Sequence, residues 1–240
     1  MKQETIDALA NGIFAEISEW DYPADRIINK FFRNNRSLNS RNRRAIKTIV
    51  YEKIRAISGY PEWLNKYVPK NWEAEFAAMQ TEAPVDIRVN TLKTKRENVK
   101  LEGAVPTPHS SVGLRLPKRL PLAFDGLYEV QDEGSQLVVQ FSNAKAGEKV
   151  LDYCAGGGGK ALALAAQMQN MGELICYDAD PERMKNLPVR LERAGVKIAK
   201  IQLPKGGYDV VFVDSPCSGS GTWRRNPDLK FRFNEQKLHE

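Results

Sequence analysis

Two short clusters of chemically capable residues stand out in this chain, and each follows an apolar run typical of a buried strand. The first runs from Asp152 to Lys160 (DYCAGGGGK) after residues 149–151, and the second runs from Asp214 to Gly221 (DSPCSGSG) after residues 208–213. Parallel α/β sheets bind ligands outside the carboxyl ends of their strands. The two clusters are therefore predicted to meet at one edge of such a sheet and to form a ligand cleft.

The first cluster has the composition of a turn that lies against a nucleoside cofactor. Glycines at 156–159 let the backbone turn sharply, and the helical run that follows offers free N–H groups. Asp178 ends the next predicted strand, about 20 residues on, where a carboxylate can accept both ribose hydroxyls. Lys160 is followed by Ala161, not by the Ser or Thr of a phosphate-binding loop. An adenosyl group is therefore predicted, with a purely structural turn as the alternative.

The second cluster places a thiol and a carboxylate where a pyrimidine could be activated. Pro216 stiffens the backbone after Asp214, and the glycines that follow favour an exposed position for Cys217. Carbon 5 of cytosine is a poor nucleophile until a thiolate adds to carbon 6, and a nearby carboxyl group favours that addition. The cluster therefore predicts methyl transfer to a pyrimidine base, whereas a buried cysteine would be inert packing.

Positive charge is concentrated near the N-terminus. The chain has a formal net charge of +6, and residues 1–70 contain 13 Lys/Arg against 8 Asp/Glu, whereas residues 131–240 contain 15 against 14. A dense basic run suits a polyanion, with a solvated helix face as the alternative. The residues of this run are Arg33, Arg36, Arg41, Arg43, Arg44 and Lys47.

A second candidate for nucleic-acid contact directly follows the Pro-Cys cluster. Trp223 stands beside Arg224 and Arg225. Stacking of the indole on a base and pairing of the guanidinium groups with phosphate is one interpretation. Structural salt bridging, for example to Asp228, is the other.

The elements that must position the two clusters alternate between strand and helix. Strands are predicted at 149–153, 173–178, 197–203 and 208–214, with helices at 159–170 and 181–194. Pro188 should kink or shorten the second of these helices. Strands separated by helices predict a parallel, doubly wound sheet, and with only about four strands the sheet looks incomplete.

Three domains are predicted along the chain. Residues 1–70 form a helical module, because apolar stripes at helical spacing run through 3–20 and 24–58, with Asn39 as a helix cap. Residues 71–130 form a small α+β region that contains a helix at 72–80 and a strand at 84–90. Residues 131–240 form the partial α/β domain, opened by a helix that runs through Phe141.

Composition argues against several other classes of protein. No apolar stretch approaches 18 residues and the N-terminus lacks the apolar core of a signal peptide, so we expect neither a membrane span nor secretion. The three cysteines lack metal-ligand spacing. We therefore expect a monomeric, cytoplasmic enzyme without a metal.

These motifs resemble the RsmB/Nop/Sun family of S-adenosylmethionine-dependent RNA (cytosine-5) methyltransferases. The resemblance is specific at 131–136, at 152–160, at Asp178 with Arg183 and at 214–228, and it is weaker at 88–92. It implies a Rossmann-like class I methyltransferase sheet, S-adenosylmethionine as cofactor, and RNA, ribosomal RNA in particular, as substrate. The helical module and the α+β region would then grip the RNA.

The resemblance also implies roles for individual residues. Asp178 would hold the ribose, Asp214 would lie between cofactor and cytosine, and Cys217 would assist product release. In this family the nucleophile is a second cysteine, in a Thr-Cys dipeptide on a later strand. The residues expected to bind the cofactor are Cys154, Ala155, Gly156, Gly157, Gly158, Gly159, Lys160, Asp178 and Asp214.

The chain departs from the family pattern at three places. Gly156-Gly157 replaces the common Ala-Pro, the link between Val196 and Asp209 lacks an acidic residue to face the adenine, and no Thr-Cys dipeptide precedes Glu240. We therefore expect a truncated chain that turns over poorly or not at all.

Two alternatives remain open at this point. Cys217 could itself be the attacking thiol, as in DNA cytosine-5 methyltransferases, or the chain could be a non-catalytic RNA-binding protein with a vestigial cofactor fold. A small-molecule methyltransferase is disfavoured because it leaves the basic run unexplained.

Overall fold

The computed structural model describes residues 1–57, 59–118, 120–123 and 125–236, and these form two compact units. The helical unit combines residues 1–83 with the segment that starts at Cys217, and the sheet unit comprises Pro84–Pro216. These limits differ from the predicted boundaries after residues 70 and 130. The last four residues of the predicted third domain lie outside the described residues.

Three helices form the first part of the helical unit: α1 (Gln3–Ile17), α2 (Ala24–Asn34) and α3 (Ser40–Ala56). Most of the predicted apolar stripe positions are fully buried between these helices, while Leu9, Ile49 and Ile57 are half-buried. The fully buried positions are Ile6, Ile13, Ile17, Ile46, Val50 and Ile54.

The predicted run 24–58 contains two helices, divided near the predicted cap Asn39, and its last residue lies outside the described residues. The Asn35 side chain donates to the Phe31 carbonyl at 2.9 Å. It thus satisfies one of the carbonyl groups in the last turn of α2. The Asn39 side chain accepts from the Asn42 N–H at 2.9 Å, which is the predicted cap of α3. Because Asn and Asp side chains compete with the backbone for hydrogen bonds, they favour such interruptions.

The rest of the helical unit is built from sequence-distant pieces. It contains a 3-10 turn (Glu62–Lys66), α4 (Glu73–Met79), a second 3-10 turn (Ser220–Thr222) and a short helix (Leu229–Arg232). Leu64 and Trp72 pack with Trp223 and Phe233 in one apolar cluster. The segment after Cys217 therefore belongs to this core because its large aromatic side chains are buried there.

The sheet unit starts with a four-stranded antiparallel sheet in the order β2-β3-β1-β4. Its strands are β1 (Val85–Val89), β2 (Val105–Pro106), β3 (Gly113–Leu116) and β4 (Tyr128–Val130), with a 3-10 turn at Arg96–Asn98. Helix α5 (Glu133–Ser142) follows, capped by the Asp132 side chain, which accepts from the Ser135 N–H at 2.9 Å.

The second sheet is parallel, with the order β7-β6-β5-β8. Its elements are β5 (Lys149–Asp152), α6 (Gly159–Gln167), β6 (Glu173–Cys176), a 3-10 turn (Pro181–Met184), α7 (Leu187–Ala194), β7 (Ala199–Ile201) and β8 (Val210–Phe212). This confirms the predicted parallel α/β sheet. The chain runs from β5 outward to β7 and then returns to place β8 on the other side of β5. The strand order therefore reverses at β5, and ligands bind at such reversals.

Pro188 has the predicted effect on the helix that carries it. The predicted helix 181–194 is divided into a 3-10 turn and α7, and Pro188 lies in the first turn of α7. A proline is tolerated there because the N–H groups of the first turn have no partner within the helix.

Candidate functional site

The loop between β5 and α6 is fixed by its own backbone to both neighbouring strands. The Tyr153 N–H donates to the Phe212 carbonyl at the end of β8 at 2.9 Å. The Ala155 N–H donates to the Tyr177 carbonyl just after β6, also at 2.9 Å. The loop therefore lies at the carboxyl ends of β5, β6 and β8, at the predicted edge.

Two of the four glycines need the left-handed backbone conformation. Gly156 has φ +47° and Gly158 has φ +85°. A Cβ on Gly158 would overlap Cδ1 of Leu187 on α7. Only glycine fits at 158, and the absence of a side chain brings α7 against the start of α6.

Asp178 holds the glycine turn in place. Its side chain is only 3% exposed, and its Oδ2 accepts from the Gly156 N–H at 3.0 Å. Its Oδ1 accepts from the Asp180 N–H at 3.0 Å, and Arg183 Nη1 lies 3.0 Å from Oδ2. The structure thus brings the predicted carboxylate into contact with the predicted glycine turn.

Lys160 and Asp214 are paired across the same edge. Lys160 Nζ lies 2.7 Å from Asp214 Oδ2, with Lys160 on α6 and Asp214 two residues past the end of β8. The Asp214 side chain is half-exposed and that of Lys160 is largely covered. The half-exposed carboxylate is therefore available to a ligand while Lys160 orients it.

Asp152, the last residue of β5, is a titratable group for which the sequence predicted no role. It is 0% exposed, and neither carboxylate oxygen has a hydrogen-bond partner among the described residues. Burial raises the pKa of Asp152 to about 7, and the nearby Asp214 and Asp178 carboxylates add to the rise. Lys160 and the Cys154 amide lower this pKa, but they do not offset the burial.

A second group of side chains also supports the turn. Glu129 of β4 pairs with Arg190 and Arg193 of α7 at 2.9 and 2.7 Å. Burial would raise the pKa of Glu129, but hydrogen bonds from the two arginines hold it below its usual range. Arg190 also donates to the Gly157 carbonyl. This clamp ties α7 to the glycine turn, and sequence reasoning missed it.

A buried arginine on β1 also supports the glycine turn, through the side chain of Gln131. Arg88 of β1 is 3% exposed, and its Nε donates to Gln131 Oε1 at 2.7 Å. Gln131 Nε2 in turn donates to the Gly159 carbonyl at 3.3 Å. Both residues lie in stretches that carried the family resemblance, which was the available signal for their importance.

The three cysteines have different environments. Cys176 in β6 is buried, and burial raises the pKa of its thiol to about 12, so it is inert. Cys154 is half-buried in the loop, and burial raises its pKa as well. Cys217 is exposed, as the sequence predicted, and it lies in the helical unit.

Comparison with known proteins identifies the family. Residues 139–240 match the family model described as 16S rRNA methyltransferase RsmB/F. A probable ribosomal RNA small subunit methyltransferase B from Synechocystis is 30% identical over 72% of this chain and 45% of its own length. The chain belongs to the RsmB/Nop/Sun family.

Further similar proteins support the assignment to the RsmB/Nop/Sun family and its fold. A 28S rRNA (cytosine(4447)-C(5))-methyltransferase from Homo sapiens is 32% identical over 67% of this chain and 22% of its own length. A methyltransferase homologue from Pyrococcus horikoshii has a crystal structure that superposes with a TM-score of 0.54 at 25% identity, over 92% of this chain and 68% of its own. The fold is thus that of class I methyltransferases. The chain spans about half the length of the small-subunit relatives it matches.

Two of the six basic residues in the N-terminal run of this RsmB/Nop/Sun chain make contacts within the protein. Arg43 Nε donates to the Leu38 carbonyl at 2.7 Å, and Lys47 Nζ lies 2.7 Å from Asp25 Oδ1. These two cations stabilise the junction of α2 and α3. The remaining four, which we name the α2–α3 arginines, are exposed: Arg33, Arg36, Arg41 and Arg44.

The predicted base-stacking role of Trp223 is wrong. Trp223 is 2% exposed and packs in the aromatic core of the helical unit, so no base can reach its ring. Arg224 is half-buried and donates to the Glu82 carbonyl at 2.9 Å, a structural contact. Arg225 is exposed. The predicted alternative partner, Asp228, lies 3.6 Å from Arg232.

Two features are absent from the described part of the chain. None of its helices has both the length and the apolarity needed to cross a bilayer. No group of three or more His, Cys, Asp or Glu residues in the same ranges is placed to hold a metal ion.

Proposed function

We propose that this protein transfers a methyl group from S-adenosylmethionine to carbon 5 of a cytosine in ribosomal RNA. The observation that carries the proposal is the convergence of the glycine turn, Asp178 and the Lys160–Asp214 pair at the strand-order reversal of a parallel sheet. The relatives described above are ribosomal RNA methyltransferases, which supports the same reaction.

The residues at this edge fit an adenosyl cofactor with a positive charge. The backbone around Gly156 and Gly159 presents no Cβ, so a ligand can lie against it. Asp178 is the group that would accept the ribose hydroxyls. The buried Asp152 carboxyl, for which the proposed reaction has no role, directly precedes the turn. The cofactor, when bound, supplies an electrophilic methyl group on a sulfonium.

Asp214 and Lys160 would act on the target base. Lys160 keeps the Asp214 carboxylate oriented through their 2.7 Å contact. A carboxylate held in this way can accept a hydrogen bond from the exocyclic amino group of cytosine and would favour the addition of a thiolate at carbon 6. In the family that thiolate belongs to a Thr-Cys dipeptide, which this sequence does not contain. Cys217 would assist product release, and the exposure of its thiol is compatible with that role.

The α2–α3 arginines would bind the RNA backbone. Their four exposed guanidinium groups lie at the end of α2, in the loop after it and in the first turns of α3. Arg pairs readily with phosphate oxygens, and such contacts position a protein on RNA without reading its sequence. The cytoplasmic location and monomeric state remain predictions.

Calorimetry with S-adenosylmethionine is the first test because it does not require turnover. We expect saturable binding that Asp178→Asn weakens at least tenfold, while the exposed Glu182→Gln leaves it unchanged. Absence of heat at millimolar ligand would contradict the proposed cofactor and favour the vestigial RNA-binding protein.

The reaction is tested by tritium transfer from labelled cofactor to ribosomal RNA, followed by mass spectrometry of the nucleosides. We expect 5-methylcytidine to form only slowly, because the family's attacking thiol, in a Thr-Cys dipeptide, has no counterpart in this sequence. This product should be lost in Asp214→Asn although cofactor binding stays within a few-fold. Label in another nucleoside would overturn the proposed base. Abolition of robust transfer by Cys217→Ala would assign the attacking thiol to Cys217.

A further inference from the structure

Asp152 is the buried titratable group that the proposed reaction leaves without a role. It ends β5, the strand at which the strand order reverses, and it lies directly before the glycine turn. Its two oxygens are inaccessible to solvent, and the nearby Cys154 N–H, although close enough to lower the pKa of Asp152, makes no well-formed hydrogen bond with either of them. Buried carboxylates normally have partners, because desolvation without compensation is costly. Such an orphan at a ligand edge indicates that its partner arrives with the ligand.

The charges around Asp152 explain which form it takes before a ligand binds. Asp214 faces it from the end of β8 and Asp178 from the end of β6, while Lys160 faces it from α6. Two further titratable groups nearby are thiols, Cys154 in the loop and Cys176 in β6, and both have raised pKa values. The guanidinium of Arg183 offsets much of the Asp178 charge, since the two groups lie 3.0 Å apart, so burial is the main cause of the raised pKa and the two carboxylates add to it. Both effects favour the protonated acid.

We propose that Asp152 is a positioning residue that responds to the charge of the cofactor: below neutral pH it is mainly a neutral acid before binding, and it releases its proton when the sulfonium binds. This rests on the proposed function. The O–H bond of the carboxyl group breaks, its electron pair stays on the carboxylate, and the proton passes to solvent. A positive charge enters and a positive charge leaves, so the buried region keeps its net charge.

The same step distinguishes the methyl donor from its product. S-adenosylhomocysteine is a neutral thioether at the sulfur, so it does not stabilise the Asp152 carboxylate. After methyl transfer the carboxyl group takes up a proton again. The protein therefore binds the donor progressively better than the product as the pH rises toward neutrality.

Proton release measured by calorimetry tests this directly. Binding is measured at pH 6.5 in buffers of different ionisation enthalpy. We expect S-adenosylmethionine to release at least about half a proton and S-adenosylhomocysteine much less. The methionine ammonium is common to both ligands, so the difference isolates the sulfonium charge. Equal release by the two ligands would overturn the role of Asp152.

The substitution Asp152→Asn tests whether Asp152 is the residue that releases the proton. Between pH 5.5 and 7.0 we expect the affinity of the unsubstituted protein for S-adenosylmethionine to rise about five- to tenfold. The rise should vanish in Asp152→Asn, which resembles the neutral acid in shape, and persist in Glu182→Gln. A rise that survives in Asp152→Asn would assign the proton to another group and overturn the proposal.

The two proposals fail in different ways. Absence of heat with either ligand at any pH overturns the proposed function and this inference with it. Binding without a difference in proton release overturns only the inference. If Asp152→Asn does not fold, the comparison of the two ligands on the unsubstituted protein still decides.

Discussion

Lys160 Nζ and Asp214 Oδ2 lie 2.7 Å apart, so the first turn of α6 is joined to the segment that leaves β8. Because the Asp214 side chain is half-exposed, this pair adds little to stability, on the order of 0 to 1 kcal/mol. The Lys160–Asp214 pair is important because it fixes the orientation of the Asp214 carboxylate.

Lys160→Met should therefore impair the reaction far more than the fold. We expect the rate of methyl transfer at saturating cofactor to fall at least tenfold, while the thermal midpoint changes by only a few degrees. Single-turnover transfer to ribosomal RNA measures the effect. The control is Lys149→Met, because Lys149 pairs with Glu173 at 3.7 Å at the start of β5, at the opposite end of the strand. An unchanged rate in Lys160→Met would remove Lys160 from the reaction.

Gly158→Ala should disrupt the turn because the new methyl group would overlap Leu187. We expect a loss of about 2 to 4 kcal/mol in the free energy of unfolding, from the clash together with the left-handed backbone. Gly147→Ala is the matched control: Gly147 has φ +90° with nothing within 4 Å of the new Cβ. It should cost only about 1 kcal/mol. Equal losses in urea titrations of the two variants would show that Leu187 yields.

Asp152 should make stability depend on pH in the direction opposite to that of most carboxyl groups. Its pKa is about 7 in the folded protein against 3.8 in the unfolded chain, so the folded state holds an extra proton between these values. Stability from this group is therefore complete below about pH 4 and is lost as the pH rises to 7. At about 1.36 kcal/mol per pKa unit, the upper limit of the loss is about 4 kcal/mol.

Asp152→Asn should abolish this loss. We expect the variant to be about 1 to 4 kcal/mol more stable than the unsubstituted protein at pH 8, and nearly equal to it at about pH 3.5. Chemical denaturation at the two pH values measures the difference. A variant that is equally destabilised at both would mean that Asp152 is ionised and paired throughout.

Removal of three α2–α3 arginines should weaken RNA binding in a salt-dependent way. For each phosphate that is no longer neutralised, the slope of log affinity against log salt should fall by about 0.7 to 0.9. The triple variant Arg36→Ala, Arg41→Ala, Arg44→Ala should thus lose up to about 2 to 3 units of slope. Fluorescence anisotropy with a ribosomal RNA fragment at several salt concentrations measures it.

A charge-matched control separates this surface from net charge. It replaces three exposed lysines of the sheet unit by alanine: Lys145, Lys197 and Lys205. A slope that falls equally in both triple variants would mean that the RNA responds to total charge and not to α2 and α3.

Much of the sheet unit was predictable because its signals are local. The alternation of apolar runs with helical runs predicted all four parallel strands, and the glycines and Asp178 follow two of them. The role of Pro188 also follows from its own chemistry. The carboxyl ends of parallel strands meet at one edge, so the site followed from the strand assignment.

The features that the sequence did not predict have a common cause, which is packing between distant parts of the chain. Trp223 beside two arginines has the composition of a base-stacking site, yet its burial depends on Leu64 and Trp72, about 150 residues earlier in the chain. The residues next to Asp152 in the chain do not reveal whether its carboxyl group has a hydrogen-bond partner. That neither oxygen has a partner among the described residues is a property of the packing alone. Such long-range packing has no local pattern.

The helical unit has a consequence for synthesis on the ribosome. Its aromatic core needs Trp223 and Phe233, but 133 residues of the sheet unit separate the two parts of its chain. At about 5 to 20 residues per second, the N-terminal part waits on the order of ten seconds for these side chains. During that interval Leu64 and Trp72 have no cover from the later segment, so the nascent N-terminal part is a natural client for chaperones.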